Sequence, residues 1–403
     1  MACAKIPWAG SGHWSRVGAP RICFRRTADS AKHTVSDVVI FRVARHPRID
    51  LLNRESLGCP RILLPTLLGG RMISRSTVPH FLLIVLTALI GVAQESTDHS
   101  PVHQTTRTRV VLLGTGTPVP DPDRSGPATA IVVDDNVYLV DFGPGVVRRA
   151  KAAVLERGIT SLEPANLKIA FVTHLHSDHT AGYSDLILTG WTAGRRTPLQ
   201  VYGPAGLQSM TEHILKAYHV DIETRTTSGG DQQSNPEGWK VSAHEIKPGV
   251  IYKDAKVTVT AFPTQHAMES YGFRFDTPDR SVVISGDTSP TEETIKACNG
   301  CDVLIHEVRT LELFSNLPED RRSFGSKNHT TSEQLAALAT KAKPGLLIVY
   351  HAWIASGPSV VPSDEQPVVL TTGRYHSSPD TLQKEIASRY SGHFVIGRDL
   401  DVY

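Results

Sequence analysis

Cysteine is scarce in this chain, with five residues among 403, and three of them (Cys3, Cys23 and Cys59) precede position 60. Only Cys298 and Cys301, in the run CNGC, are left for the rest. That excludes a disulfide-built scaffold, and without a second pair it excludes a four-thiolate structural zinc site. A small disulfide or two inert thiols remains. Long apolar runs are lacking too: the run from Phe81 to Ile90 is too short to span a bilayer comfortably. Nor is there an excess of positive charge where a fold would sit. The net charge of +2 hides 13 Lys+Arg against 4 Asp+Glu in residues 1–93 and 29 against 36 in residues 94–403. A mildly acidic body argues against a broad electrostatic footprint for nucleic acid. No internal repeat of solenoid period is present. What is there, 20% charged and 40% apolar residues, is the mix of an ordinary globular protein.

The amino-terminal region reads as processing signal rather than fold. Residues 72–93, MISRSTVPHFLLIVLTALIGVA, set an arginine ahead of the apolar run and small residues after it. This is the layout of a cleavable export signal, with an uncleaved membrane anchor as the alternative. The expected location is periplasmic or secreted, with a mature start near Gln94 and no stable membrane anchor. Residues 1–71 are basic and poor in acid. They read as an over-long gene call or a disordered segment, with a transit peptide as the alternative. Residues 94–106 are expected to be a linker, and residues 107–403 one large domain.

From Arg107 onward short apolar runs alternate with Gly/Pro turns and helix-like stretches. RVVLL (109–113), TAIVV (129–133) and VYLVDF (137–142) predict strands, with Asp134-Asp135-Asn136 as a hairpin turn. KIAFV (168–172) predicts a strand buried on both faces. Further strands are expected at 199–202, 256–262, 271–275, 281–285, 302–306 and 345–350. Helices are expected at 145–156, 178–189, 204–218, 291–297, 331–342 and 379–389. Ser289 followed by Pro290 and Glu292 reads as one helix start, and Thr330 followed by Glu333 as another. Residues 225–238 are polar and Gly-rich and predict a loop. The whole suits an α/β fold of two mixed sheets packed together with helices outside, a four-layer αββα sandwich.

The chemistry concentrates in FVTHLHSDHT, residues 171–180. A buried strand ends at Thr173, and the following loop delivers His174, His176, Asp178 and His179. Alternate positions of an extended chain point the same way, so His174 and His176 can grip one ion, while Asp178 and His179 face a second. Imidazole and carboxylate donors suit Zn²⁺. Three histidines and one aspartate within six residues are hard to explain as core or as a solvated face.

HxHxDH is the signature of the metallo-β-lactamase superfamily, and the chain resembles that superfamily from about residue 107 to its end. Further motifs follow in order. Asp141, ending VYLVD, matches the aspartate that supports the metal loop. His266 in FPTQH, Asp287 in VVISGDT and His351 in LLIVYH match the later ligands. The resemblance implies His174, His176 and His266 on one zinc, Asp178, His179 and His351 on the other, and Asp287 bridging: two Zn²⁺ per chain. It further implies attack by a hydroxide between the metals.

Within the superfamily the chain is similar to the tRNase Z and arylsulfatase branch. LLGTGTPVPDPDRSGPAT (112–129), PLQVYGPAGL (198–207), HEV (306–308) and HTTSEQLAALA (329–339) carry that likeness. By resemblance, Glu307 and His329 form a pair that helps protonate the leaving group, so Asp178, Glu307 and His329 are the expected catalytic residues. His266 and Asp287 are only 21 positions apart, filled by two strands and a turn, with no room for the tRNA-gripping arm of bacterial tRNase Z. The expected activity is therefore arylsulfatase-like hydrolysis of sulfate or phosphate esters of a small, aromatic alcohol. The alternatives are an RNase Z-like phosphodiesterase or 3′-tRNA processing endonuclease, a lactonase, and a non-catalytic zinc-binding protein. Nucleic acid is disfavoured as a partner, and a homodimer is allowed. Trp191 and Trp353 are candidates to stack an aromatic leaving group.

Overall fold

The run at 109–113 already shows how the fold is layered. Val110 and Leu112 enter one buried cluster, Val111 and Leu113 another, as alternation along a strand requires. A computed structural model of the chain describes residues 107–354 and 377–403. The expected export signal at 72–93, the linker at 94–106 and the segment 1–71 lie outside the described residues. No helix among the described residues is long and apolar enough to cross a membrane.

Two sheets form the centre. The first holds β1 (Thr108–Gly114), β2 (Ala128–Val133), β3 (Asn136–Val140), β4 (Ile169–Phe171), β5 (Leu199–Gly203) and β6 (Val241–Glu245), in that spatial order. The second holds β7 (Gly249–Lys253), β8 (Thr258–Pro263), β9 (Tyr271–Asp276), β10 (Ser281–Ile284), β11 (Val303–Glu307), β12 (Leu346–Tyr350) and β13 (Phe394–Ile396), again in order. Each sheet is mixed. Pairing is antiparallel from β1 to β3 and from β7 to β10, and parallel from β3 to β6 and from β10 to β13.

The inner faces of both sheets share one core, which holds Ile131, Tyr138 and Phe171 beside Phe273, Ile305 and Ile348. The outer face of the first sheet packs on α1 (Val146–Arg157), α3 (Tyr183–Thr192) and α4 (Leu207–Ala217). That of the second packs on α6 (Glu292–Cys298), α9 (Ser332–Ala342) and α10 (Pro379–Ala387). This is the expected αββα sandwich. Its remaining helices are α2 (Ser177–Thr180), α5 (His219–Thr226), α7 (Leu311–Asn316) and α8 (Glu319–Asn328).

Several local expectations differ from the structure for physical reasons. The strand expected to 142 stops at Val140, because Asp141 adopts a left-handed conformation (φ 60°) and turns the chain. The helix expected over 178–189 breaks into α2 and α3 where Gly182 donates to the carbonyl of Phe142. The first capping residue of α6 is Thr291, which accepts from the N–H of Thr294, not Ser289. Ser289 instead bridges to Gln265. The capping box of α9 is one residue later than expected, between Thr331 and Gln334. The polar run at 225–238 begins inside α5. Strands β6, β7 and β13 and helices α5, α7 and α8 went unpredicted. The strands are only three to five residues long, and the edge strands β6 and β7 have no fully buried residue to mark an apolar face. Cys298 and Cys301 are joined as a disulfide at the end of α6.

One tight crossing fixes the metal loop. A Cβ added at Gly143 would lie 2.3 Å from the carbonyl oxygen of Asp178 and 2.5 Å from the main chain of Gly126. Three loops therefore meet where a single methyl group does not fit. Gly143→Ala is expected to lower the unfolding free energy by about 2–3 kcal/mol or more, because backbone rather than a flexible side chain must move. Urea unfolding followed by circular dichroism checks this, and an unchanged midpoint would show that the crossing is looser than described.

Candidate metal centre

Asp141, the residue that turns out of β3, is buried and fully engaged. Its Oδ1 accepts from the N–H of Thr173 at 2.8 Å, and its Oδ2 accepts from Nδ1–H of His179 at 2.9 Å. One carboxylate thus ties the end of β3 to the chain leaving β4 and to α2. His174 and His176 lie on the connection from β4 to α2, and α2 delivers Asp178 and His179 in its first turn. His266 follows β8, Asp287 follows β10, Glu307 ends β11 and His351 follows β12. All lie just beyond strand carboxyl ends, at one rim of the sandwich.

The side chains converge. Nε2 of His174 lies 3.0 Å from Nδ1 of His176, and Nε2 of His266 lies 3.1 Å from the same atom. Oδ1 of Asp287 lies 3.3 Å from Nε2 of His179 and 3.2 Å from Nε2 of His351. Oδ2 of Asp178 lies 3.6 Å and 3.7 Å from those two nitrogens. Donor atoms of His174, His176 and His266 fall within 4.8 Å of one another, as do those of Asp178, His179 and His351. Those of Asp287 group with His174 and His179 within the same limit.

The outward ring nitrogens are spoken for. Nδ1–H of His266 donates to the carbonyl of Asn328 (2.9 Å) and Nδ1–H of His351 to that of Gly116 (2.6 Å). A carbonyl acceptor requires the proton on Nδ1, so Nε2 turns a lone pair inward. The inward atoms Asp178 Oδ2, His179 Nε2 and Asp287 Oδ1 are buried without a hydrogen-bond partner. Unpartnered buried acceptors around a common point are what a cation would satisfy, so the residues present fit a metal.

Protonation differs between the two groups. Burial lowers the proton affinity of His174, His176 and His266 below the ordinary histidine range. Burial works the same way on His179 and His351, but Asp141 and Asp287 outweigh it for His179, and Asp287 does so for His351. Both end above the ordinary range. Asp287 is buried, which alone would raise its pKa, yet His351 and His179 hold it well below the usual carboxylate range.

Glu307 and His329 sit beside this cluster. Oε1 of Glu307 lies 2.9 Å from Nδ1 of His329 and accepts from the N–H of Thr288 at 2.9 Å. Burial, with the charge of Asp287 acting in the same direction, pushes the Glu307 carboxyl up to about 8. Burial, aided by Arg309, brings His329 down to about 3. His329 follows α8, and its ring lines a cavity of about 400 Å³ together with His176, Asp178, Asp287 and His351.

The two tryptophans part company. Trp353 lines the cavity. Trp191 does not: it is fully buried and donates from Nε1 to the carbonyl of Asn235, a packing role. Sequence reasoning missed the far wall, which Arg309, Leu313, Leu317 and Phe324 supply from the segment between β11 and His329. Apart from Arg309, two residues beyond Glu307, that segment carried no pattern to single it out. Also missed was Arg124, which donates to the carbonyls of Ala352 (3.0 Å), Ile354 (2.9 Å) and Thr115, and so pins the loop after His351.

Comparison with known proteins agrees with this geometry. A sequence profile of the beta-lactamase superfamily domain matches residues 136–352. Ribonuclease Z of Mycobacterium bovis (strain BCG / Pasteur 1173P2) is 32% identical over 296 residues, covering 72% of this chain and 96% of the relative. Ribonuclease Z of Mycolicibacterium gilvum (strain PYR-GCK) is 36% identical over 247 residues, 60% of this chain and 83% of the relative. The fold is shared with the metallo-β-lactamase fold protein YhfI from Bacillus subtilis (19% identity, TM-score 0.53, 73% of this chain and 98% of that one). It is shared as well with the short form of human tRNase Z (20% identity, TM-score 0.51, 73% and 98%).

The split in proton affinity has a measurable consequence. A group whose pKa is raised takes up its proton at higher pH, and a protonated imidazole cannot ligate. On acidification an ion held by His179 and His351 should therefore leave before one held by His174, His176 and His266. Metal content after equilibrium dialysis at stepped pH should fall through a plateau near one ion per chain. That plateau should survive in His351→Ala and vanish in His266→Ala. Loss in a single step, or the reverse dependence on the two variants, would refute the ordering.

Proposed function

Because this chain belongs to the metallo-β-lactamase superfamily of metal-dependent hydrolases, in its tRNase Z branch, we propose that it is an RNase Z-like phosphodiesterase acting on a nucleotide-derived ester. The observation that carries the reading is the Glu307–His329 pair, 2.9 Å apart, of which His329 opens on the same cavity as His176, Asp178, Asp287 and His351. The donor atoms of His329 also lie within 4.8 Å of those of His266 and Asp287, so an imidazole oriented by Glu307 stands where a proton could be passed beside the ligand cluster.

In this reading His174, His176 and His266 would hold one ion and Asp178, His179 and His351 a second, with Asp287 among the donors of both groups. The nitrogen and oxygen donors suit Zn²⁺. Zinc bound there would supply Lewis acidity, lowering the pKa of a water and stabilising charge on the phosphoryl oxygens. Asp178 has its Oδ2 among these donors and also faces the cavity, so it orients whatever approaches.

Glu307 and His329 handle the proton. With the carboxyl at about 8 and the imidazole at about 3, the pair carries one shared proton at neutral pH. Whether that proton is drawn on Glu307 or on Nδ1 of His329, Nε2 of His329 keeps an N–H on the ring edge away from Glu307. That edge can deliver a proton to a departing alkoxide. A raised acid keeps its proton through neutrality and loses it above its pKa. Turnover that depends on the pair should therefore fall as pH rises through about 8, and cations bound alongside draw that limb lower.

Two sequence-based expectations give way in this reading. The arylsulfatase-like activity, expected first, yields to the phosphodiesterase, its alternative, because the relatives at 31–36% identity are named Ribonuclease Z. Disfavouring nucleic acid yields with it. The short span between His266 and Asp287, filled by β9 and β10, leaves no room for a long arm. Yet the match to the M. bovis relative takes in 96% of that relative, so a long arm is not what separates the two chains.

The test is leaving-group dependence. Nitrophenolate departs with little protonation, whereas a ribose or alkyl oxygen needs much more. His329→Ala should keep its metal, lose little on a nitrophenyl phosphodiester and lose ~10²–10⁴-fold on a dinucleotide. Glu307→Gln should follow the same trend more mildly. Rates across diesters of graded leaving-group acidity, with nitrophenyl sulfate included and metal content read in parallel, decide it. An equal loss on every substrate would make the pair structural, and turnover of the sulfate alone would restore the sulfatase reading.

A further inference from the structure

Arg309 leaves β11 two residues after Glu307 and turns into the cavity that holds the ligand cluster. It is 8% exposed. Its guanidinium lies over the ring of Trp353, 4.7 Å from the centroid. Its Nε is buried with no hydrogen-bond partner. Among the described residues no carboxylate forms an ion pair with it, and no acceptor takes a hydrogen bond from the guanidinium. Glu307 affects its charge from a distance, but Oε1 of Glu307 is already committed to Thr288 and His329.

The fold contains a control for this observation. Arg195 is even more deeply buried, and although its Nε is unpartnered like that of Arg309, its two terminal nitrogens donate to four main-chain carbonyls, those of Leu167, Leu186, Ile187 and Gly238. That is how a structural buried arginine is accommodated here. Among the described residues Arg309 has no such cage for its terminal nitrogens. Instead α8 clears a path for it: a Cβ at Gly325 would lie 3.3 Å from its Nη1. A buried cation lying over an indole ring, with its N–H edges unmet by the described residues and turned to a cavity, is arranged to meet an anion.

The rest of the wall says what kind of anion. Leu313, Leu317 and Phe324 offer an apolar surface suited to a flat base, and Arg321 adds a second cation. We propose that Arg309, held over Trp353, is a specificity-determining residue that binds a second anionic group of the substrate, apart from the one the ligand cluster would take. This rests on the phosphodiesterase reading and names a further binding residue of that site.

The test compares uridine 3′,5′-bisphosphate with uridine 3′-monophosphate as ligands of the metal-loaded full chain, by calorimetry. Wild type should bind the bisphosphate at least ~10-fold more tightly, the size of a two-pronged charge-assisted hydrogen bond. Arg309→Gln should bring the ratio to within about twofold of one, while Arg309→Lys, which keeps the charge but not the planar fork, should fall between. Gly325→Ala would set a Cβ 3.1 Å from Phe314 and 3.3 Å from Nη1, crowding the guanidinium by a few tenths of an ångström without removing it, and should also shrink the ratio, which keeps the test decisive if Arg309→Gln misfolds. No preference in wild type, or a ratio unchanged in Arg309→Lys and Gly325→Ala, overturns the proposal. A chain that shows the preference but cleaves no phosphodiester would sink the activity reading while leaving the anion site standing.

Discussion

Five imidazoles and two carboxylates aim their inward atoms at one buried volume, and protons alone satisfy them poorly. Nδ1 of His176 has a ring nitrogen of His174 at 3.0 Å and one of His266 at 3.1 Å. At most one proton fits each such contact. Asp287 faces His179 and His351 with an oxygen that has no hydrogen-bond partner. Lone pairs forced this close repel unless positive charge sits among them. In His179 and His351 the protein borrows that charge from protons, which is why both bind protons more tightly than a free histidine while the other three bind them less tightly.

Holding such a cluster against its own repulsion demands rigid anchoring behind it. The anchors are outer hydrogen bonds to main chain and to Asp141, each of which fixes a ring tautomer. The αββα sandwich suits this, because its strands end at one rim: His174, His266, Asp287 and His351 each lie one to three residues past a strand, and α2 follows at once with Asp178 and His179. Some of the backbone departures fall at the same rim. Asp141 and His351 are non-glycine residues with positive φ, and Gly286 precedes Asp287 with φ 61° where a Cβ would strike Thr173. Such conformations persist where surrounding contacts over-determine them.

This explains what was legible in sequence. HxHxDH is dense because two alternating residues of the connection after β4 and one helical turn supply four inward side chains, and its spacing is visible without neighbours. His266, Asp287 and His351 are each a single residue after an apolar run, and became readable only as an ordered set. The layering was legible because β1 to β5 and β8 to β12 carry buried apolar runs. Edge strands β6 and β7 have half their residues in solvent, so no alternation marks them. Cap positions slipped by one or two residues, since Ser289 and Thr330 have the right chemistry but are already engaged in contacts between loops. Trp191 and Trp353 are equivalent in sequence. Only the fold shows that one meets the core and the other the cavity.

The least legible part, the segment from Arg309 to His329, is also the part that shapes the cavity beyond the metal ligands. Its helix α8 has little apolar character of its own, as a wall that meets solvent on one side and ligand on the other allows. The ligand cluster depends on donor geometry that tolerates little change, so discrimination between substrates falls to surfaces that can vary without disturbing it. Arg195 and Arg309 mark the boundary between these two regimes within one chain. The first has every surrounding carbonyl arranged for it and belongs to the scaffold. The second is buried almost as deeply, yet no described residue accepts a hydrogen bond from its guanidinium, and it faces the cavity rather than the core.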